Sequence, residues 1–211
     1  MNRCTRIAMA ALTISAASIL VACGGSGGSE GGAGIVGADE GGSASVSPSS
    51  GGGLKRPVIN LPESFQVSFE GWTNSDPKLQ RILDDGKEEL RAEYAAIVQG
   101  DPASGAVEFY NSGASLKSAR KWIRGFVDED HTLVGRGRVF NPQVHISNEG
   151  FGVLFYCVDE SHGRTKDRKT GKEAGTPKGT SPRLQYRTRL DKTEQGVWKT
   201  TTAETERGAC R

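Results

Sequence analysis

The sequence predicts an α+β fold in which helices come first and an antiparallel sheet follows. Two amphipathic helical patterns lie between Asp76 and Asp128, and short segments rich in β-branched and aromatic residues follow His131. No segment of helical length separates these later segments, so we expect the strands to run antiparallel to their neighbours. Residues 1–53 differ in composition and are expected to be a signal peptide followed by a disordered linker.

The first helix is expected to run from Asp76 to Gly100. Asp76 is a favourable N-cap residue, Pro77 fits the first helical position, and Gly100 ends the pattern. Apolar residues recur between them at helical spacing, namely Leu79, Ile82, Leu83, Leu90, Tyr94, Ile97 and Val98. Gly86 interrupts this helix and is expected to weaken its centre.

A second helix is expected over residues 115–128, because its apolar residues form one stripe. The stripe consists of Leu116, Ala119, Trp122, Ile123, Phe126 and Val127. The other face carries Lys117, Arg120, Lys121 and Arg124, which we interpret as a solvated surface.

Five strands are expected after the helices, over residues 132–140, 144–147, 151–158, 184–190 and 197–202. Turn signals such as Asn141-Pro142 separate them. Segment 184–190 alternates between apolar and polar residues, so one of its faces should be wet. Segment 151–158 is apolar on both sides. This pattern favours a central strand covered twice, or a strand covered once and buried in a homodimer.

The N-terminal 22 residues are predicted to be a lipoprotein signal peptide. Arg3 and Arg6 precede an uncharged run over residues 7–21, which is shorter than the roughly 20 apolar residues of a membrane-spanning helix. Leu20-Val21-Ala22-Cys23 resembles the lipobox of bacterial lipoproteins. This resemblance implies that Cys23 carries acyl chains such as palmitate and anchors the protein to the outer, extracytoplasmic face of the cell membrane. The alternative is a secretory peptide cut nearby, with Cys23 as an incidental thiol.

Residues 23–53 are expected to be a disordered tether that begins at the lipidated cysteine. Of the 29 glycines in the chain, 13 lie between Gly24 and Gly53, and a Gly/Ser chain of this length has a reach of about 30 Å. Residues 54–211 should then form a single extracytoplasmic domain.

The charge balance excludes a general basic field for nucleic acid. Lys and Arg number 27 against 25 Asp and Glu, and Arg3 and Arg6 account for the net charge of +2. We therefore expect no nucleic-acid partner.

The cysteines leave one pair in the mature domain. Cys4 is removed with the leader and Cys23 is lipidated, so Cys157 and Cys210 remain and are expected to form a disulfide outside the cytoplasm. These two cysteines lack the C-x-x-C spacing typical of zinc sites. The apolar run around Cys157 also disfavours a reactive thiol.

Several segments resemble a family of actinobacterial membrane lipoproteins of unassigned function. They are Gly100-Asp101-Pro102, Tyr110, Trp122-Ile123-Arg124-Gly125-Phe126, Tyr156-Cys157-Val158-Asp159-Glu160-Ser161 and Gly196-Val197-Trp198. The resemblance spans about residues 61–210. It implies a head similar to the nuclear transport factor 2-like, or cystatin-like, cone, in which helices pack into the concave side of a bent sheet. Related cones include ketosteroid isomerase and polyketide cyclases, so the fold alone does not decide between enzyme and binding module.

Few residues indicate catalytic chemistry. Asp159 lies at a strand end beside Glu160 and is expected to be solvated. Ser161 and His162 complete the residue types of a hydrolase triad, but they follow Asp159 directly and no G-x-S-x-G motif exposes the serine. The three histidines are too scattered for a metal cluster. We therefore predict no catalytic residue, no metal site and no cofactor.

Two candidate binding surfaces remain. Tyr94, Trp122, Phe126 and Tyr156 are candidates for lining a pocket in the cone. Residues 164–183 are expected to form a long basic hairpin loop, which is either a mobile solvated connection or a contact surface for headgroups or anionic envelope polymers. Its candidate contact residues are Arg164, Lys166, Arg168, Lys169 and Lys172.

The leading hypothesis is a non-enzymatic, lipid-anchored, extracytoplasmic module that binds a small molecule or a protein. One alternative is a cone-fold enzyme of the cyclase or isomerase type, and another is an envelope structural protein that acts through the basic loop. A hollow interior with a buried carboxyl near a tyrosine would favour the enzyme. A filled interior would exclude it.

Overall fold

The computed structural model describes residues 54–210, so the predicted signal peptide, Cys23 and most of the tether lie outside the described residues. The described part begins with a strand, continues with three helices and ends with five further strands. These elements are β1 (Phe65–Phe69), α1 (Pro77–Gln99), α2 (Gly105–Tyr110), α3 (Gly113–Asp128), β2 (His131–Ile146), β3 (Gly152–Asp167), β4 (Glu173–Ala174), β5 (Arg183–Lys192) and β6 (Trp198–Arg207). Within this part of the chain, no helix has the length and apolar character needed to span a bilayer.

Helix α1 begins and ends as predicted. The Asp76 side chain accepts a hydrogen bond from the Lys78 amide at 2.7 Å, and Gly100 ends the helix in the left-handed conformation with φ of 72°. Gly86 has a role that the sequence did not reveal. A β-carbon at this position would lie 2.6 Å from Cδ2 of Leu154, so the glycine lets α1 pack closely on the sheet.

The two shorter helices complete the helical layer. Helix α2 was not predicted, and it buries Val107 and Tyr110 against its neighbours. Helix α3 matches the second predicted helix but begins at Gly113. Three of its four basic residues are exposed as expected, whereas Arg120 is half-buried and pairs with Glu108 at 2.9 Å.

The sheet is mixed, so the prediction of a wholly antiparallel sheet is wrong for one strand. The strand order is β1-β2-β3-β5-β6, with β4 paired to β3. Strand β1 pairs with β2 in parallel, and the other pairs of named strands are antiparallel. A parallel pair needs a long crossover connection. Helices α1 to α3 provide it here, because β1 precedes them in the chain.

The long strands are more continuous than the turn signals indicated. Predicted strands 132–140 and 144–147 form the single strand β2, and Asn141-Pro142 is an irregularity inside it. Asn141 has φ of 53°, and the pairing register with β3 shifts between Phe140 and Gln143. Such a bulge bends a strand. Strand β3 continues past Val158 to Asp167, into the segment that was expected to be a loop.

The helices pack on the concave face of this curved sheet, which confirms the predicted α+β class. One apolar cluster lies between α1 and the sheet and includes Ile82, Leu90, Leu154 and Tyr156. A second cluster lies among the helices, around Ile97, Val107, Tyr110 and Ile123. Burial of these side chains provides the main driving force for folding.

The outer face of the sheet is covered by arginines. The guanidinium carbon of Arg138 lies 4.3 Å from the ring centre of Phe140, and that of Arg189 lies 4.0 Å from the ring centre of Phe151. Arg187 lies over Phe155 in the same way, at 5.8 Å. These stacks shield apolar rings of β2, of β3 and of the residue just before β3, an arrangement that the sequence analysis did not consider.

The predicted disulfide between Cys157 and Cys210 is confirmed. Their Cα atoms lie 6.0 Å apart. Cys157 belongs to β3 and Cys210 follows β6, so the bridge holds the end of the described chain against the centre of the sheet.

The segment that precedes β1 packs along the helical layer. Arg56 forms an ion pair with the buried carboxylate of Asp85, which also accepts a hydrogen bond from the Trp198 amide at 2.8 Å. Ile59 is buried, and its carbonyl accepts from Arg91 at 2.8 Å. These contacts secure the chain before the first strand begins.

Candidate functional site

A cleft of about 400 Å³ opens between the helices and the sheet, and aromatic side chains form one of its walls. Phe65 from β1 contacts Tyr94 from α1 with ring centres 5.2 Å apart. Tyr94 contacts Trp122 at 6.1 Å, and Trp122 contacts Phe126 at 5.8 Å, all in edge-to-face geometry. The cleft therefore offers a continuous apolar surface to a ligand.

Polar side chains form another part of the cleft lining. They include Glu160 from β3 and Arg207 from β6, and the Arg207 guanidinium lies 3.3 Å from a Glu160 carboxylate oxygen. Arg207 also donates to the Ser181 carbonyl at 2.7 Å. Partial burial raises the pKa of the Glu160 carboxyl, although the charge of Arg207 opposes this change. Threonines 165, 176 and 180 add hydroxyl groups to the lining.

The connection between β4 and β5 forms a third part of the lining. Ala174, Gly175, Thr176, Pro177 and Thr180 line the cleft. The interpretation of residues 164–183 as one basic hairpin loop is therefore wrong, because the first part extends β3 and the later part encloses the cleft.

The five basic residues of the predicted loop separate into different environments. Arg164 and Lys166 belong to β3. Arg168 donates to the carbonyls of Ile97 and Val98 at 3.0 Å and 2.9 Å, which satisfies acceptors at the C-terminus of α1. The remaining two are exposed, with Lys169 pairing to Asp130 at 3.3 Å and Lys172 beside β4.

Three of the four predicted pocket residues line the cleft together. These are Tyr94, Trp122 and Phe126. The fourth, Tyr156, lies in the core, because its ring stacks on Tyr186 at 4.9 Å and packs against Trp72. It belongs to the same face of β3 as Leu154 but lies deeper than the cleft.

Two buried carboxyl groups lie on α1, the helix that also carries Tyr94. Glu89 and Glu93 are 4% and 9% exposed, and they occupy the face of α1 that packs on the sheet. Their side chains are hydrogen-bonded to each other. Tyr94 follows Glu93 in the chain and lines the cleft. The pair is not part of the cleft lining.

The environment of this pair keeps a proton on it. Burial raises the pKa of Glu93 well above its usual range, and the neighbouring Glu89 raises it further. Burial also raises the pKa of Glu89, although its hydrogen bond with Glu93 opposes the change. A carboxylic acid that donates to a carboxylate accounts for this geometry, because two charged carboxylates so close in the interior would repel. The pair therefore shares a proton, and the pKa is raised further for Glu93 than for Glu89.

Sequence reasoning missed this pair although a signal was present. Ile82, Gly86, Glu89, Glu93 and Ile97 follow one another at steps of three or four residues, so they share one helix face. Only apolar residues were used to define the buried stripe. Two acidic residues on that stripe are the pattern that would have indicated a buried carboxyl pair.

The other acidic candidate, Asp159, is paired with arginines. Its carboxylate accepts from Arg183 at 3.2 Å and from the Ser161 amide at 2.9 Å, and Arg138 lies 3.6 Å away. Partial burial alone would raise the pKa of Asp159, but hydrogen bonds from Ser161 and Arg183 lower it overall. The group is thus an ionised partner of arginines rather than a proton donor.

Neither a triad nor a metal centre is seen within residues 54–210. Ser161 and His162 are neighbours on β3 and both are exposed, and the Ser161 amide donates a hydrogen bond to the Asp159 carboxylate. No group of three His, Cys, Asp or Glu side chains in this part of the chain could hold a metal ion.

Comparison with known proteins identifies only distant structural similarity. No protein-family model matches the sequence, and no curated protein matches it. The intermembrane space region of the chloroplast protein ARC6 aligns at 10% identity over 62% of this chain and 97% of its own, with a TM-score of 0.41. Aln2 from a Streptomyces species aligns at 12% identity over 60% and 90%, with a TM-score of 0.42.

A third example is ActVI-ORFA from Streptomyces coelicolor, which aligns at 6% identity over 62% of this chain and 97% of its own, with a TM-score of 0.43. At these identities and TM-scores the three alignments carry no conclusion about ligand or activity. The function must therefore be argued from the cleft itself.

Proposed function

We propose that this protein is a lipid-anchored, extracytoplasmic binding module whose cleft takes a small amphipathic molecule. The observation that carries this proposal is that aromatic rings and the Glu160–Arg207 ion pair line the same open cleft. Ligand pockets commonly combine a mainly apolar lining with a few polar groups that fix orientation.

The chemistry of these two parts of the lining defines the ligand class. Phe65, Trp122 and Phe126 would pack against a ring or acyl portion. Glu160 accepts and Arg207 donates, so the polar end of the ligand should be able to do both, as a hydroxyl, amide or carboxylic acid group can. A doubly charged ligand of either sign is disfavoured, because one member of the ion pair would repel it.

Replacing Phe126 with alanine is expected to weaken binding of an amphipathic probe about tenfold, because the probe loses one of the aromatic rings that line the cleft. The measurement is a fluorescence titration with anilinonaphthalene sulfonate, using the full chain with Cys23→Ala for solubility. Phe140→Ala is the matched control, since Phe140 is also half-buried but lies on the outer face of the sheet. Equal weakening in both variants would contradict cleft binding.

Replacing Cys23 with alanine is expected to move the protein from the membrane fraction to the soluble fraction. The reason is that two acyl chains anchor a protein stably, at about 0.8 kcal/mol per buried methylene. Fractionation followed by immunoblotting makes the measurement, and Cys4→Ala is the control, because its thiol lies within the predicted leader. Retention of the Cys23→Ala chain in membranes would contradict lipid anchoring at this residue.

The alternative function is an enzyme of the cyclase or isomerase type, and the buried Glu89 and Glu93 favour it. A protonated carboxyl beside a tyrosine is a recurrent arrangement for proton transfer. Neither carboxyl lines the cleft, however, which favours binding without turnover. Solvent exchange of a carbon-bound proton on a cyclic ketone probe, abolished by Glu93→Gln, would favour the enzyme instead.

A further inference from the structure

A row of cationic side chains lies away from the aromatic wall, at one end of the pair formed by β2 and β3. His162, Arg164 and Lys166 occupy alternate positions of β3, so they project from the same face. Arg136 on β2 is the register partner of His162. All four residues line one open hollow of about 490 Å³, together with Ser64 and Glu173. We refer to these four residues as the cationic row.

The cationic row is only partly neutralised. Arg164 lies 3.6 Å from Glu173, the one carboxylate in the lining of this hollow. Within residues 54–210, neither Arg136 nor Lys166 has a carboxylate oxygen within ion-pairing distance. Apart from His162, three cations and one carboxylate leave a net charge of two positive units. Salt bridges that occupy Arg138 and Arg183 nearby do not extend to this row.

The backbone keeps the hollow open. Gly135 has φ of 90°, and a β-carbon there would lie 2.2 Å from the His162 carbonyl, so no larger residue fits between the strands. The register of β2 against β3 shifts between Arg136 and Arg138. Such an irregularity increases the local twist and re-aims side chains. Arg136 is thereby directed into the hollow with the β3 cations.

The spacing of the cationic row favours a ligand with several regularly spaced negative charges over a single ion. Alternate residues of a strand lie about 6.6 Å apart along it. Side chains that each face a different negative charge can remain extended, whereas a single small anion would require all three β3 side chains to converge on it. The glycerol unit between successive phosphates of a phosphodiester polymer separates the charges by a comparable interval. Each cation can then face its own phosphate.

We propose that the cationic row is a binding surface for a linear phosphodiester polymer, with Arg136, Arg164 and Lys166 contacting successive phosphates. This function is separate from ligand binding in the cleft, because three of the four residues of the row lie outside the cleft lining. Of the four residues in the row, only Arg164 also borders the cleft. The row also differs from the predicted basic loop, since Arg168 and Lys169 are engaged elsewhere and Arg136 was not among its residues.

The test is a binding titration of the full chain carrying Cys23→Ala with poly(glycerol phosphate), followed by light scattering or sedimentation. The double variant R136Q/K166Q is expected to weaken binding about thirtyfold, as two basic contacts near an anionic surface would. Binding should also weaken steeply as salt is raised. The matched control is K117Q/R124Q, which removes the same charge from exposed positions of α3 and should change the affinity less than about threefold.

Three outcomes would overturn the proposal. Equal weakening in the two double variants would mean that only net charge attracts the polymer. Equally tight binding of polyglutamate would show that the surface does not select phosphate. Full competition by inorganic phosphate near the molar concentration of polymer repeats would indicate a site for one ion. Circular dichroism of R136Q/K166Q distinguishes lost contacts from lost folding, and a cleft titration with the naphthalene probe should be unchanged in this variant.

Discussion

Replacing both Cys157 and Cys210 with alanine is expected to lower the free energy of unfolding by about 4 kcal/mol. The two residues are separated by 53 positions in the sequence, so their bridge removes a large amount of chain entropy from the unfolded state. Alanine is preferred to serine because both sites are buried, and a hydroxyl there would need a partner. Urea denaturation of the two proteins makes the measurement.

Replacing both cysteines should also weaken binding of the naphthalene probe in the cleft. Arg207 lies three residues before Cys210, and strand β6 is mostly exposed from Thr202 onward, so little besides the bridge and the β5 pairing holds this end. Wild-type protein reduced with dithiothreitol is the control and should match the variant in both stability and probe binding. A loss of less than about 1 kcal/mol would mean that the tail is held by other contacts.

Replacing Glu93 with glutamine is expected to raise the free energy of unfolding by about 2 kcal/mol at neutral pH. An amide has nearly the shape of a protonated carboxyl and can still donate to Glu89, but it cannot ionise in the interior. At neutral pH the wild-type protein must either bind a proton from solution or bury a second charged carboxylate, and both cost free energy. The variant avoids this cost.

The pH dependence gives the sign of this effect. Because burial raises the pKa of Glu93 in the folded state, the folded protein binds more protons than the unfolded chain once pH exceeds the unfolded value of about 4.3. The contribution of Glu93 to the stability of the wild-type protein is therefore fully present below a pH of about 4.3, and it is lost as pH rises through the folded pKa. The two proteins should be nearly equal near pH 4, and the gap should widen with increasing pH.

Urea denaturation at several pH values between about 4 and 8 tests this expectation. Glu149→Gln is the matched control, because Glu149 is exposed in the turn between β2 and β3 and should not change the profile. A Glu93→Gln variant that is less stable than the wild type across the whole range would contradict a protonated Glu93, since it would mean that the charged form is the one stabilised.

Local patterns were sufficient for the helices and for much of the site. The Asp76-Pro77 start and the Gly100 end of α1 depend on residues within one turn of each terminus, and the structure places both as predicted. Trp122 and Phe126 are four residues apart on one helix, so they share a face wherever the helix packs. Both rings were among the residues predicted to line the pocket.

Other features depended on residues far apart in the chain. Strand β1 has five residues and no strong pattern, and it exists because Gly135 to Val139 lie beside it in the folded chain. Arg168 looked like a loop cation, but the carbonyls at the end of α1 come within its reach only after folding. Asn141-Pro142 indicated a turn, and pairing with β3 turned it into a bulge.

The sequence by itself determined the α+β class, the limits of α1, the Cys157–Cys210 pairing and three of the cleft residues. Each of these depends on helical period, on capping within one turn or on how many cysteines remain to pair. Only the tertiary structure decided the parallel strand, the Glu160–Arg207 pair in the cleft, the core position of Tyr156 and the buried carboxyls as a pair. These features depend on residues that are far apart in the sequence and come together only on folding. For Glu89 and Glu93, packing on the sheet also removes the water around the carboxyl groups.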